Sequence, residues 1–267
     1  MKQLRGKDYR LAFKAIAELR NSSERSLASI VSGYKAKDEQ RAFQYLVARI
    51  VLEKGVGGLA EKWHELPSPE WRENLMSEIR QFLDLWAEES LIDLLINALN
   101  DADLRVCRRG VTALRECLEE LSVKEEREAR KTESGQRFLA GKERLQSWVT
   151  PQRRARIAQT VTRALEQHSE NPWALTWPSW YIELLGYTAN KTDESAIAVL
   201  SGLRRFAGEP YKVSYQRLDP SNLPWPEKLL SERKGVIPTL RIAHHPTGLL
   251  DISVLDTALK RISDREP

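Results

Sequence analysis

The amino-acid sequence predicts an all-α protein. Apolar residues recur at helical spacing along most of the 267-residue chain, and no stretch alternates convincingly between apolar and polar residues with a period of two. The clearest evidence comes from two adjacent segments. Residues 91–99 are apolar except for one narrow polar stripe, whereas residues 107–121 are apolar along one side only. We therefore expect the first of these helices to be buried on most sides and the second to be half exposed.

Several further helices are predicted from residues that favour a helix start. In the N-terminal part, Asp and Ser residues precede apolar segments and predict helices over residues 9–19, 27–34 and 39–53. Farther along, the Ser-Pro pair at 68–69 predicts the start of a long helix that ends near Trp86, because proline is well tolerated at the first helical position.

A tight acidic turn joins the two clearest helices. Asp101 and Asp103 have short polar side chains that can accept hydrogen bonds from the first N–H groups of the following helix and complement its positive end. Two antiparallel helices joined in this way cannot bury their apolar faces alone. The pair is therefore expected to stack on other helix pairs.

The segment 89–121 resembles one HEAT repeat. The HEAT pattern has an acidic turn, a Val-Arg pair, a small residue three positions after the Arg, and an Ala-Leu pair. Cys107 replaces the Arg in this chain, which removes the Asp-Arg bonding through which neighbouring HEAT repeats often join. The resemblance covers about 30 residues and implies a right-handed α-solenoid of stacked antiparallel helix pairs with irregular repeats. The matching residues are Asp101, Asp103, Val106, Gly110, Ala113 and Leu114.

A weaker echo of this pattern lies about 90 positions farther along the chain. The segment Ile182–Leu185 mirrors Ile92–Leu95, and an apolar segment from Ala196 to Leu203 follows it. The echo predicts that a second pair of helices repeats the arrangement of the first.

Composition suggests two parts packed as one unit. Residues 1–207 are expected to form the HEAT-like repeat array, interrupted near 122–148 by a charge-dense segment that we expect to be a solvated helix extension or a flexible insert. Residues 208–267 are expected to form a proline-rich loop and C-terminal capping helices, because half of the chain's 12 prolines lie in the first part of this segment. Short helices are predicted there near residues 227–232 and 251–262.

Charge and cysteine content favour a cytoplasmic protein that is not specialised for nucleic acid. The formal net charge is only +4, since 42 basic residues are balanced by 38 acidic ones, whereas a dedicated nucleic-acid protein is usually more lopsided. The two cysteines lie on one helix, too far apart to bond to each other, which is typical of a reducing compartment. The N-terminal residues lack the apolar run of a secretory signal, and no apolar run in the sequence is long enough to cross a membrane.

Three residue patterns bear on possible chemistry. The glycine-rich segment 55–60 has the letters of a dinucleotide-binding turn, but helical spacing precedes it and no parallel strands are predicted around it, which favours a flexible turn between helices. The histidines lie in three separate places without metal-ligand spacing, and both cysteines fit packing positions. We therefore predict no metal, no cofactor and no catalytic residue. The residues concerned are His64, His168, His244, His245, Cys107 and Cys117.

Arginines form the candidate partner-binding set. They lie on the second helix of a pair or at a helix start, and stacking of the helices would align them into a positive groove for phosphates or an acidic partner. The alternative is an ordinary solvated face on which they pair with glutamates such as Glu116, Glu119 and Glu120. The set consists of Arg105, Arg108, Arg109, Arg115, Arg204 and Arg205, with Arg153, Arg154 and Arg156 as a further basic group.

Tryptophan is unusually frequent, with 8 residues against 5 phenylalanines, and several aromatic rings surround one carboxylate. Trp180, Glu183 and Tyr187 share one helix face at i, i+3 and i+7, and Trp173 and Trp177 precede them. One interpretation is a core helix edge, with Glu183 equivalent to Asp93 of the first pair. The other is that the rings stack on a nucleobase, as in alkylpurine DNA glycosylases, which are also built of HEAT-like helix pairs. No motif of that family is matched residue by residue.

The favoured function is a non-enzymatic scaffold or adaptor that binds a protein partner, because the repeat pattern is present and no catalytic constellation stands out. The alternative is a nucleic-acid-binding protein, possibly a HEAT-like DNA glycosylase. An enzyme that acts on a small molecule or pigment on the same scaffold stays open, although no residue points to it.

Overall fold

The protein is all-α, as the sequence predicts. The computed structural model describes residues 8–21, 38–175, 177–208, 214–217, 239–242 and 250–265. The helices predicted at 27–34 and 227–232 lie outside these residues. In chain order the described helices are α1 Tyr9–Asn21, α2 Glu39–Glu61, α3 Pro69–Gln81, α4 Leu83–Trp86, α5 Leu91–Leu99, α6 Leu104–Leu118, α7 Val123–Ala129, α8 Glu133–Trp148, α9 Pro151–Gln167, α10 Pro178–Thr188, α11 Glu194–Leu203 and α12 Ile252–Asp264.

The larger helices pack in two rows. In one row α2 contacts α5, α5 contacts α9, and α9 contacts α11; in the other row α3 contacts α6, α6 contacts α10, and α10 contacts α12. Across the rows α5 packs on α6 and α9 packs on α10, and α1 covers the end formed by α2, α3 and α4. One cluster of buried apolar residues runs through all of these contacts. The helices therefore bury their apolar faces against their neighbours in this arrangement.

The pair α5 and α6 has the burial that its sequence predicts. Seven of the nine residues of α5 are buried, whereas α6 carries partly exposed arginines along one side. The two helices approach most closely at Gly110, where a Cβ atom would lie 2.8 Å from the backbone nitrogen of Leu99. This close approach is the physical reason for a small residue at that position of the repeat pattern.

The acidic turn uses its two aspartates differently. Asp103 caps α6 as predicted, accepting a hydrogen bond from the backbone nitrogen of Arg105 at 2.9 Å. Asp101 instead turns inward, where its side chain is 1% exposed and accepts bonds from Trp63 Nε1 and from Arg72 Nε and Nη2, each at 2.9 Å. An arginine of α3 therefore bonds this aspartate, although Cys107 occupies the arginine position of the HEAT pattern.

Two predictions about helix continuity are wrong. The long helix predicted from residue 69 to Trp86 breaks at Phe82, which has φ −119° and ψ 45°; α3 ends there and the short α4 turns Leu83 and Trp86 into the core. The echo of the repeat also does not form a second hairpin. Helix α10 packs on α6, α9 and α12, while α11 packs on α9 and α12, so α10 and α11 are not the antiparallel pair that the echo predicts.

Only the first half of the charged segment 122–148 is a solvated helix extension. Helix α7 begins at a capping box formed by Ser122 and Glu125 and has no buried residue. Helix α8, in contrast, packs on α4 and α6, so the prediction of a solvated or flexible insert is wrong for this half. The buried Lys142 of α8 donates hydrogen bonds to the carbonyl oxygens of Glu116 and Glu119 at the C-terminal end of α6, at 2.6 Å and 2.5 Å. A cation at the negative end of a helix is electrostatically favourable, which explains a lysine at this buried position.

Short strands occur where the sequence predicts only loop and helix. Strands β1 (Ala207–Gly208) and β4 (Leu250–Asp251) form a parallel pair, and β2 (Ser214–Arg217) pairs antiparallel with β3 (Thr239–Ile242). Strand β4 leads directly into α12, which Asp251 caps by accepting a bond from the backbone nitrogen of Ser253 at 2.8 Å. Within the described ranges, no helix combines the length and apolar character needed to cross a membrane.

Candidate functional site

The packing of α10 on α6 joins two groups of residues that the sequence analysis treats separately. The rings of Trp177 and Trp180 stack with centroids 5.2 Å apart and planes 13° apart. The guanidinium carbon of Arg115 lies 5.6 Å from the centroid of the Trp180 ring. We call Arg115, Trp177, Trp180, Glu183 and Tyr187 the aromatic patch. The side chain of Trp173, the remaining residue of the predicted cluster, lies outside the described part of the structure.

The exposed stripe of α10 is narrow and coincides with this patch. Of the residues in this helix, Ser179, Trp180 and Glu183 are partly exposed and the others are buried. Trp177 precedes Pro178, the first residue of the helix, and its spacing of three residues from Trp180 brings the two rings together. The patch is therefore the side of α10 that faces solvent, and it presents tryptophan rings beside charged groups.

Glu183 is held in an ion pair. Its Oε2 lies 2.9 Å from Arg115 Nη1, which is also 3.6 Å from a carboxylate oxygen of Glu119. The three groups form one network between α6 and α10. A carboxylate bonded in this way has a fixed orientation and is already paired with a cation, so it is poorly suited to transfer a proton. The arrangement fits recognition of a partner by stacked rings and a guanidinium better.

Tyr187 lies at the buried end of the patch. Its side chain is 7% exposed, and burial is the main cause that raises the pKa of its phenol. The guanidinium carbon of Arg261, from α12, lies 4.3 Å from the centroid of the Tyr187 ring. The ring is therefore packed between protein groups, which does not fit the interpretation that it stacks on a nucleobase.

Most of the other predicted arginines pair with carboxylates of the protein, which supports a solvated face rather than a positive groove. Arg154 differs, because it bonds the carbonyl oxygen of Tyr187. Arg108 and Arg109 both reach Glu73 of α3, at 3.2 Å and 3.1 Å. Arg153 and Arg156 hold Asp93 at 2.8 Å each, as Arg115 holds Glu183. The remaining pairs are Arg105 with Asp103, Arg204 with Asp256 and Arg205 with Glu170.

The glycine-rich turn is bonded to a carboxylate from another part of the protein. Gly55 has φ +71° and produces a kink within α2, close to the helix-helix turn expected from the sequence. Glu88 accepts a hydrogen bond from the backbone nitrogen of Gly57 at 3.1 Å and pairs with Arg20 at 2.6 Å, and the hydroxyl of Ser90 also donates to it. The carboxylate of Glu88 thus takes the N–H group that a phosphate would use in a dinucleotide-binding turn.

Both thiols are buried, as the sequence predicts. Burial raises the pKa of Cys107 to about 11 and that of Cys117 to about 12, so neither is a nucleophile near neutral pH. Cys107 donates to the carbonyl oxygen of Asp101 at 2.8 Å and lines a cavity of about 420 Å³ that Tyr181 also borders. Among the described residues, no three side chains of His, Cys, Asp or Glu converge on a point where a metal ion would bind. His244 and His245 lie outside those residues.

Glu78 is a buried carboxylate that the sequence analysis did not identify. It lies on the apolar face of α3 beside Leu75 and Ile79, a pattern that marks an acidic residue directed into the core. Its side chain is 3% exposed, Arg10 Nε lies 3.7 Å from Oε1, and Oε2 has no hydrogen-bond partner. Burial is the main cause that raises the pKa of this carboxyl group.

We expect Glu78→Gln to stabilise the protein at neutral pH by about 1 kcal/mol. Between pH 4.5, the ordinary pKa of a glutamate, and the raised pKa, Glu78 keeps its proton in the folded protein but has lost it in the unfolded chain. The stability of the wild type therefore falls as the pH rises through this range. The stabilisation by Glu78→Gln should therefore vanish below pH 4.5, where Glu78 is protonated in both the folded and the unfolded state. Urea unfolding of both proteins at neutral and acidic pH measures this. The control Glu73→Gln, on the same helix, should lose stability because Glu73 pairs with two arginines.

Comparison with known proteins gave no relationship: no protein-family model, curated protein or solved structure matches this chain.

Proposed function

We propose that this protein is a non-enzymatic, HEAT-like α-solenoid adaptor that holds a protein partner at the aromatic patch. The observation that carries the proposal is the stack of Trp177 and Trp180 beside Arg115, which lies on the partly exposed stripe of α10. Tryptophan, tyrosine and arginine are the residues most enriched at the energetic centres of protein interfaces. Because Arg115 is already held by Glu183, little of its side-chain freedom would be lost on binding.

The helix contacts support the solenoid part of this proposal. A row formed by α2, α5, α9 and α11 beside a row formed by α3, α6, α10 and α12 is the pattern expected when helix pairs stack in series. The bond from Arg72 to Asp101 also links consecutive helix pairs, in the manner of the Asp-Arg bonding between HEAT repeats. We also propose that the stack of helix pairs is right-handed.

A protein partner is favoured over nucleic acid by the charge distribution. Nucleic-acid binding draws most of its affinity from unpaired basic groups that replace counterions on phosphates. The six arginines of the candidate partner-binding set all pair with carboxylates of the protein, and Glu183 and Glu119 add negative charge at the patch itself. The unpaired buried thiols are consistent with the cytoplasm as the proposed compartment.

The double variant Trp177→Ala, Trp180→Ala is expected to weaken partner binding at least tenfold, because removal of central tryptophans typically costs 2 kcal/mol or more of binding free energy, well above the roughly 1.4 kcal/mol of a tenfold change. The measurement is quantitative affinity capture from cells that produce the protein, with and without nuclease. Trp148→Ala is the matched control, since Trp148 is a partly exposed tryptophan on another helix. The Trp148→Ala variant should capture the same amount of partner as the wild type does.

Two outcomes would count against the adaptor. The first is a set of captured proteins that the double variant and the Trp148 variant retain equally. The second is recovery of nucleic acid that disappears with nuclease and weakens steeply with salt, which is the behaviour of the alternative function.

A further inference from the structure

Three arginines converge on the C-terminal end of α10. Arg154 of α9 donates from Nη1 to the carbonyl oxygen of Tyr187 at 3.0 Å, and Arg265, directly after α12, donates from Nη1 to that of Ala189 at 2.7 Å. Arg261 covers the ring of Tyr187 at 4.3 Å. Each side chain thus has a fixed position at the same helix end.

These arginines differ from their neighbours because no carboxylate of the described residues forms an ion pair with them. Arg153 and Arg156 flank Arg154 on α9, and both pair with Asp93. Burial lowers the pKa of Arg265, repulsion from Arg154 and Arg261 lowers it further, and attraction to Glu120 opposes these effects in part. The negative end of α10 offsets only about half of an elementary charge. The three arginines therefore keep a net positive charge, which Glu120 offsets only in part.

A cavity of about 170 Å³ lies between two of these side chains. Arg154 and Arg265 both line it, and each retains guanidinium N–H groups beyond the one bonded to a carbonyl oxygen. Pro151, the first residue of α9, borders the cavity, so the positive end of that helix also contributes.

Two further polar residues complete the wall. Asn190 accepts from the backbone and hydroxyl of Thr192 with Oδ1, which leaves its NH₂ group as the remaining polar end. Asp193 is the one carboxylate among the residues that border the cavity, and its Oδ2 accepts a bond from the backbone nitrogen of Asn190 at 2.8 Å. Asp193 also stands at the start of α11, where the positive end of the helix opposes its charge.

We propose that this cavity binds a phosphate group, free or carried on an ester, between Arg154 and Arg265. A phosphate offers three or more oxygens and close to two negative charges at neutral pH, so it can accept bonds from both guanidinium groups and offset more of their charge than a carboxylate can. The site is independent of the partner proposed for the aromatic patch.

Isothermal titration of the full-length protein with inorganic phosphate and with O-phosphoserine, at constant ionic strength, tests the site. We expect binding of one equivalent of at least one probe, and the two titrations distinguish a free phosphate from an ester. Arg154→Gln and Arg265→Gln should each weaken that binding tenfold or more, since each removes charge-assisted hydrogen bonds to the phosphate. Arg156→Gln is the matched control on the same helix and should bind like the wild type.

Several results would overturn the site. They are the absence of binding by either probe, equal affinity for acetate, or affinities that the two substitutions leave unchanged. Because Arg265 also bonds the backbone, Arg261→Gln gives a second test: it removes charge without touching the cavity wall, and it should weaken phosphate binding by a smaller factor. The double variant Trp177→Ala, Trp180→Ala should bind phosphate normally, which separates a failure of this site from a failure of the adaptor function.

Discussion

Replacement of Asp101 with alanine is expected to lower the free energy of unfolding by about 3–5 kcal/mol, the range for removal of one partner from a buried ion pair. The Asp101 carboxylate joins Trp63, which is fully buried, to Arg72, whose side chain is 12% exposed, and also accepts a bond from the backbone nitrogen of Asp103 at 3.0 Å. Alanine would leave the indole N–H of Trp63 and the Nε and Nη2 donors of Arg72 without an acceptor, while Nη1 of Arg72 would keep its bond to the carbonyl oxygen of Leu66.

Equilibrium unfolding in urea measures this effect, with helicity as the observable. The matched control is Asp103→Ala in the same turn, which removes the cap of α6 and a surface ion pair with Arg105 and should cost about 1 kcal/mol. Equal losses for the two variants would contradict the assignment of Asp101 as the inward-facing acceptor. A smaller loss for Asp101→Asn than for Asp101→Ala would support it, because the amide oxygen can still accept one bond.

The substitution Gly110→Val is expected to destabilise the fold by about 3 kcal/mol, at the upper end of the usual range for overpacking. A Cβ atom at Gly110 would lie 2.8 Å from Leu99 N and 3.1 Å from Ala98 C. These are backbone atoms of α5 and cannot move as the end of a flexible side chain can. The added atoms would force α5 and α6 apart and separate the buried side chains on both sides of the contact.

Thermal and urea unfolding of Gly110→Val test this expectation against Gly202→Ala in α11. No atom lies within 4 Å of a Cβ added at Gly202, so the control should gain roughly 0.5–1 kcal/mol from improved helix propensity. A Gly110 variant as stable as the wild type would show that the α5–α6 contact yields more easily than its geometry indicates.

Helix starts and caps were predicted correctly from the sequence where they depend on only a few neighbouring residues. Asp103 caps α6 and Pro69 begins α3, because each effect depends on one helix turn. The same reasoning failed at Phe82, where the chain bends so that Leu83 and Trp86 are buried and α4 packs on α8. It also failed for Lys142, whose charge suggests solvent but whose amine bonds the end of α6.

The candidate site was predictable in its residue types but not in its assembly. Spacing along one helix placed Trp180 and Glu183 on a shared face, which the structure confirms as part of the exposed stripe of α10. Arg115 belonged to a separate predicted set because it is 68 residues from Glu183 in the chain. Only the packing of α10 on α6 brings these side chains to within 2.9 Å of each other.

From the sequence alone it was possible to determine that the chain is helical and where its best helix pair turns, because these properties depend on residues three or four positions apart. The resemblance to a HEAT repeat added that the position of Gly110 is small. The tertiary structure decided which carboxylate each arginine meets: Arg72 bonds Asp101, Arg153 bonds Asp93, and Arg154 meets none among the described residues. An ion pair depends on distances between helices far apart in the chain, and the burial of their apolar faces sets those distances.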